Sequence, residues 1–293
     1  MKISKDKKLL LLYRLKFINA FRVLFYPYMK YKRKRLLRNY YECGYGDRLL
    51  PLKNKFDGKR CFIIGNGPSL TPEDLDKVKN EYTFATNKIF YIFDRTSWRP
   101  TFYCCMDMNA FEMLEDKIAL SDTEYKFLNA RTHQKFNQDD KFDKTIYYLL
   151  NCLENKIYLN VKKRALDEPV VSENVNEFVY QNGTVTFTAI QLAFFMGFKE
   201  IYLLGIDHNY PLTRMASGKI ISNENKNESY FEGMPKTDYQ PGYSFYTATK
   251  CYQAARSYAD AHGIKIINAT RGGKLEVFER ADFDSLFEST EEN

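Results

Sequence analysis

Only three histidines occur in the 293 residues: His133, His208 and His262. His208 sits where chemistry is plausible, at the end of EIYLLGIDH (residues 200–208), an apolar run closed by a glycine and then Asp207. An imidazole titrates near neutral pH and can take the proton that an attacking hydroxyl must lose. His208 is therefore the candidate general base, with Asp207 beside it. A hydrogen-bonded turn histidine would look the same in sequence. His262 falls at a helix C-terminus, where the dipole favours a cation, and reads as structural. His133 lies in a polar loop and carries no signal.

A second stretch, Arg60 to Leu70 (RCFIIGNGPSL), joins four apolar residues to a sharp turn, Gly65-Asn66-Gly67, followed by Pro68 and Ser69. Thr71 and Pro72-Glu73-Asp74 then read as a helix start, with an N-cap hydroxyl, proline at the first position and acids in the first turn. Strand, glycine turn and helix N-terminus together predict an anion site, in which backbone N–H groups meet a phosphate. Leu70 stands where G-x-G-x-x-G needs its third glycine, and no Lys-Ser/Thr pair of a Walker loop follows. The alternative is a tight turn with no ligand.

The polar residues at other strand ends extend the pattern. Asn66, Asn87, Asp107 with Asn109, Asp207 with His208, and Asn268 with Thr270 each follow a short apolar run. In open α/β sheets ligands bind outside the carboxyl ends of the strands, so these residues are expected to meet at one site. A site rich in Asn and poor in charge suits a base, ribose or sugar better than a metal. Any single Asn could be only a turn residue. Asp107-Met108-Asn109 approaches the Asp-x-Asp spacing that carries a metal diphosphate. Asp282-Phe283-Asp284 matches it but lies in an acidic C-terminal stretch read as a solvated helix face. No metal site is expected.

The elements that must hold these residues alternate. Strands are predicted at 61–64, 82–86, 101–106, 125–129, 200–204 and 264–267, the last of the chain. Residues 145–150 are read as a strand or a helix edge, within a stretch (131–180) that is hard to read. Residues 183–197, GTVTFTAIQLAFFMG, form a nearly all-apolar helix that should be buried and closed by Gly197. A second helix is predicted over 247–262, with Gly263 as its cap. Residues 208–246 lack apolar periodicity and read as a lid. This alternation predicts an α/β fold: a Rossmann-like, doubly wound, mostly parallel sheet beginning near Lys59, after a linker at 39–58.

Charge is concentrated at one end. Of 44 basic and 37 acidic residues, thirteen basic and one acidic fall in residues 1–38, leaving 31 and 36 for the rest. That argues against nucleic-acid binding by the body. Residues 8–29 are apolar but interrupted by Arg14, Lys16 and Arg22, too short a run to span a bilayer and without a signal-peptide cleavage site. Pro27 is expected to stop or kink this helix. With the basic cluster at 30–35 it suits an anionic membrane surface; the alternative is packing on the body or on a second subunit. Six cysteines without C-x-x-C spacing read as reduced core residues of a cytoplasmic protein. Aromatics reach 16%, with 23 Tyr and 23 Phe, which suits either aromatic walls for a sugar or base or a compositional bias.

IIGNGPSL, the strand end at Asn87 and NGTVTFTAIQLAFFMGFKEIYLLGID together resemble the bacterial lipooligosaccharide sialyltransferases (glycosyltransferase family forty-two). They are equally similar to the related domain of 6-hydroxymethylpterin diphosphokinase-like proteins and flagellin glycosylation factors. The resemblance covers about residues 59–275. It implies that Gly65, Asn66, Gly67 and Asn87 hold the CMP part of the donor and that Asn182, Gly183 and Thr184 contact the donor. It also implies that Tyr210, one residue later than the family pattern, binds the leaving phosphate. The family's lid histidine has no counterpart in residues 211–261, so either His208 takes that place or the donor differs.

The resulting expectation is a cytoplasmic glycosyltransferase, peripheral on the inner face of the membrane through residues 1–38. It would move a sugar from a CMP-linked donor to a surface glycan or glycolipid with inversion, without metal or cofactor. The alternatives are a diphosphokinase using ATP and Mg²⁺, with Asp107 and Asp207 as ligands, and a non-enzymatic glycan-assembly partner. A homo-oligomer is left open.

Overall fold

The computed structural model describes residues 19–130, 145–148, 169–180, 184–209, 212–214, 220–222, 230–234 and 245–288. Eight strands form one sheet: β1 (Arg60–Ile64), β2 (Tyr82–Thr86), β3 (Phe102–Cys105), β4 (Tyr125–Asn129), β5 (Thr145–Tyr148), β6 (Glu200–Leu204), β9 (Lys265–Asn268) and β10 (Glu279–Arg280). Between β6 and β9 a separate antiparallel pair is formed by β7 (Leu212–Arg214) and β8 (Ile220–Ser222). The sheet order is β10-β9-β6-β1-β2-β3-β4-β5, and its pairings are parallel.

This order decides where a site can form. From β1 the chain steps outward through β2, β3 and β4 to β5. It then returns to lay β6 on the other side of β1, with Cys61 opposite both Tyr82 and Ile201. The winding reverses between β1 and β6, which opens a crevice at their carboxyl ends.

Helices cover both faces: α1 (Asn19–Glu42), α2 (Tyr45–Leu49), α3 (Pro72–Lys77), α4 (Met108–Leu120), α5 (Val185–Met196) and α6 (Phe245–Ala261). Alternate β1 residues enter two cores. Cys61 and Ile63 pack with α5 and α6, and Phe62 and Ile64 with α4 and the residues after β2. A strand buried on both faces needs the continuous apolar run seen in its sequence. The aromatic content goes largely into these cores: Phe62, Phe84, Phe102, Phe127, Phe187 and Phe198 are all fully buried. Gly197, at φ 91°, ends α5 as expected.

Several expectations are refined or change. The stretch at 39–58 is not a bare linker. It carries the end of α1 and all of α2, and it buries Tyr40, Leu49, Leu52 and Phe56. Asn54 and Phe56 N–H groups bond to Phe195 and Met196 carbonyls at the end of α5. α1 runs through Pro27 instead of stopping there. Arg33 in the basic cluster pairs with Glu177, so that cluster is in part docked on the body. β10 follows the strand expected to be last; two charged residues in extended form give no apolar signal. Among the described residues the acidic C-terminal stretch holds only a short 3₁₀ turn at Asp284–Leu286, with Phe283 buried and Asp284 paired with Lys77 and Arg271, so Asp282-Phe283-Asp284 is not the face of a solvated helix. Among the described residues no helix is long and apolar enough to cross a membrane. His133 and Cys152 lie outside the described residues.

Candidate functional site

The turns after β1 and β6 are pressed together. Gly65 N–H donates to the Leu204 carbonyl at 2.8 Å, and Gly67 N–H to the Gly205 carbonyl at 2.9 Å. A Cβ on Gly65 would lie 2.2 Å from the Gly205 oxygen, and one on Gly67 1.7 Å from Asp207 Oδ2. Both glycines are thus required by close approach. Their N–H groups are used inside the protein, so they do not form the expected phosphate cradle. The helix that follows is no better suited. Asp74 N–H donates to Thr71 Oγ1 and Thr71 N–H to Asp74 Oδ2, a capping box that satisfies the start of α3 internally.

The strand-end asparagines behave differently. Asn66 Nδ2 donates to the Thr86 carbonyl at 2.9 Å and to Thr86 Oγ1 at 3.2 Å, which fixes its amide and turns Oδ1 away from β2. Asn87 has a left-handed backbone, φ 45°, a conformation Asn tolerates better than most residues. Its carbonyl accepts the Tyr103 hydroxyl. Asn66 Oδ1 and Asn87 Oδ1 are both buried without a hydrogen-bond partner among the described residues. Buried acceptors left unmatched are uncommon and point to a missing partner.

Asp207 Oδ2 accepts the Ser69 hydroxyl at 2.8 Å. Burial pushes its carboxyl above the ordinary value, opposed by the hydrogen bonds from Ser69. His208 follows with φ 52° and 4% exposure, its ring stacked on Phe245 at 4.2 Å and edge-on to Tyr252. Its Nε2 lies 2.9 Å from Thr249 Oγ1, whose own hydroxyl proton goes to the Phe245 carbonyl. Nε2 must therefore carry the hydrogen in that contact, which puts the imidazole lone pair on Nδ1. Burial lowers the His208 pKa from 6.5 to about 4, so the ring is neutral at pH 7.

These groups line one cleft of about 130 Å³ over the crevice between β1 and β6. Of the residues expected from sequence, it gathers Gly65, Asn66, Gly67, Asn87, Asp107, Thr184, Asp207 and His208. Thr184 is also the N-cap of α5, accepting from Thr186 N–H. Five residues are not part of the lining. Pro68 is exposed, and Ser69 acts through Asp207. Asn109 is exposed on the first turn of α4, with its N–H on Asp107 Oδ1. Asn268 bonds to the Leu275 carbonyl and Thr270 N–H, and Thr270 to Ile206 N–H and the Leu203 carbonyl. These last two brace the β6 turn from behind. Asn182, Gly183 and Tyr210 lie outside the described residues.

Among the residues in or beside the cleft that escaped the sequence reading are Lys88, Tyr230, Tyr252 and Thr249. Lys88 directly follows Asn87, so its charge at a strand end was a readable signal. Tyr230, Tyr252 and Thr249 come from far along the chain and gave none. Tyr230 belongs to the region expected as a lid. Part of that region is pinned: Phe231 N–H bonds to the Asn66 carbonyl, Phe231 is 2% exposed, and Arg95 bonds to the Glu232 carbonyl. Among the described residues no group of three or more His, Cys, Asp or Glu is placed to hold a metal ion.

The profile of the family described as 6-hydroxymethylpterin diphosphokinase MptE-like matches residues 34–213, more than half of the chain. The chain belongs to that MptE-like family. The match takes in the cleft residues from Gly65 to His208, while Tyr230, Thr249 and Tyr252 lie beyond it. No curated protein matches the sequence. Among solved structures, the MAf glycosyltransferase of Magnetospirillum magneticum AMB-1 superposes with a TM-score of 0.50 at 16% identity. The superposition covers 82% of this MptE-like chain but only 39% of the glycosyltransferase. The sialyltransferase CstII of Campylobacter jejuni, solved with cytidine-5'-monophosphate, gives a TM-score of 0.47 at 18% identity, covering 78% of this chain and 86% of that one. At 16% identity the likeness to the MAf glycosyltransferase is one of fold.

Proposed function

We propose that this MptE-like protein is a nucleotide-sugar-dependent glycosyltransferase whose donor sits over the crevice between β1 and β6. The observation that carries the reading is the pair of buried amide oxygens, Asn66 Oδ1 and Asn87 Oδ1, both on residues lining the cleft. Two fixed acceptors call for a ligand with hydroxyl or amino donors, as ribose and a base provide. The fold likeness to a glycosyltransferase agrees with this reading.

The finer assignment is a CMP-linked donor, transfer with inversion and no metal requirement. The acceptor is a surface glycan or glycolipid, reached at the cytoplasmic face of an anionic membrane through residues 1–38. His208 Nδ1 removes the acceptor hydroxyl proton. The acceptor oxygen forms a bond to the anomeric carbon as the bond from that carbon to the phosphate oxygen breaks, and CMP leaves with the electron pair. Tyr210 meets the leaving phosphate. Thr249 holds the His208 tautomer from behind.

A second reading is favoured by the family match: transfer of diphosphate from ATP to a pterin, with Mg²⁺ at Asp107 and Asp207. Both carboxylates line the cleft, but each has an oxygen already engaged, by Asn109 N–H and by the Ser69 hydroxyl. The separating experiment is a thermal-shift series on the full chain with CMP, CDP, UDP, GDP and ATP, with and without Mg²⁺. A ligand that binds only the folded state raises its melting temperature. Stabilisation by CMP without metal supports glycosyl transfer, and stabilisation by ATP only with Mg²⁺ supports the diphosphokinase. No response to any of them would leave a non-enzymatic role in glycan assembly.

A further inference from the structure

Any phosphate in the cleft needs a partner, and the two glycine N–H groups are not it. The N–H groups of Gly65 and Gly67 already bond to Leu204 and Gly205 carbonyls, and Thr71 with Asp74 closes the start of α3. Lys88 is the Lys or Arg that lines the cleft among the described residues. Asn87 has a left-handed backbone, and Lys88, directly after it, is 6% exposed. Lysine is rarely buried to that extent without a role for its charge.

Three features hold it there. The Lys88 ammonium lies 5.1 Å from the centre of the Tyr230 ring, a cation–π contact. Tyr230 precedes Phe231, whose N–H is fixed to the Asn66 carbonyl, so one pinned segment orders both the lysine and the asparagine. The Asp107 carboxylate, fixed as the N-cap of α4, favours the charged ammonium. Burial acts the other way and lowers the Lys88 pKa below its ordinary 10.5.

We infer that Lys88, oriented by Tyr230, supplies the cation that binds the phosphate of the nucleotide in this cleft, alongside the Tyr210 hydroxyl assigned above, and so sets the preference for a nucleoside phosphate over a neutral nucleoside. The inference rests on the donor-site reading above. A buried lysine gives a strong charge-assisted bond because little water competes with it.

The test compares CMP with cytidine by calorimetric titration of the full chain, wild type against Lys88→Gln and Lys88→Arg. The expected result is that Lys88→Gln weakens CMP roughly tenfold to hundredfold, toward the affinity of cytidine, and leaves cytidine unchanged. Lys88→Arg should retain part of the CMP affinity. Equal loss for both ligands, or none for CMP, would overturn the assignment. Should neither CMP nor cytidine bind the wild type, the CMP-donor assignment has failed, and inorganic pyrophosphate then tests Lys88 alone. Stabilisation of wild type but not Lys88→Gln would sustain it, and no difference would refute it. If the variants do not fold, acylation of Lys88 in wild type is followed by mass spectrometry. Protection by CMP or pyrophosphate but not by cytidine is expected, and failure to protect counts against it.

Discussion

Asp207 Oδ2 occupies the space that a side chain on Gly67 would need, 1.7 Å from where its Cβ would be, and is held there by the Ser69 hydroxyl. The carboxylate and the glycine are thus two halves of one contact between the β1 and β6 turns. Gly67→Ala should destabilise the fold by about 1–3 kcal/mol through overpacking. Asp207→Ala removes the atoms in the way, so the double variant should be more stable than the sum of the single losses. Urea denaturation of the four proteins reads the coupling; strict additivity would show that the contact is not tight.

His208 should make stability depend on pH. Its folded pKa of about 4 lies below the ordinary 6.5, so between those values the unfolded chain binds more protons. Its contribution is complete above about 6.5 and is lost as pH falls toward about 4. His208→Asn keeps a residue tolerant of the left-handed backbone and has no proton to bind. Denaturation from pH 7.5 down to 4.5 should show the wild type losing stability relative to the variant. Parallel curves would mean that the histidine is not buried neutral.

Asn87→Gly separates fold from binding. Glycine accepts φ 45° and removes a buried oxygen that has no partner among the described residues. Folding stability should change by less than about 1 kcal/mol. Nucleotide affinity should fall roughly three- to tenfold if Asn87 Oδ1 accepts from the ligand. Calorimetry that finds affinity unchanged would remove Asn87 from the site.

Gln191 sits fully buried in α5 with both ends of its amide engaged. Its oxygen accepts Ser172 and Tyr180 N–H, and its nitrogen donates to Tyr180 and Phe187 carbonyls. Tyr180 is four residues before Thr184, which lines the cleft, and the amide fixes the chain at Tyr180. Gln191→Leu strands both groups of Tyr180 and the Ser172 N–H and should cost about 3–5 kcal/mol, far more than its change in volume suggests. A melting temperature within a few degrees of wild type would contradict this.

The elements built from local signals were legible in the chain. β1 and β6 follow unbroken apolar runs, α5 is nearly all apolar, and Gly197 ends it, because burial on both faces demands that composition. The strand-end residues were also visible, since a polar residue after a buried strand marks where the chain leaves the core. Which of them reach the cleft was not visible. Asn66 and Asn87 line it while Asn268 and Thr270 brace it from behind, because only the winding reversal between β1 and β6 sets which side of a strand end faces the crevice. The same adjacency occupies the glycine N–H groups with carbonyls from β6, so a turn that reads as an anion cradle becomes a packing device. Lys88 and Tyr230 meet across a separation no local pattern records. Sequence periodicity fixes what each element buries; the pairing of distant elements, which long-range burial alone enforces, decided which groups share the cleft.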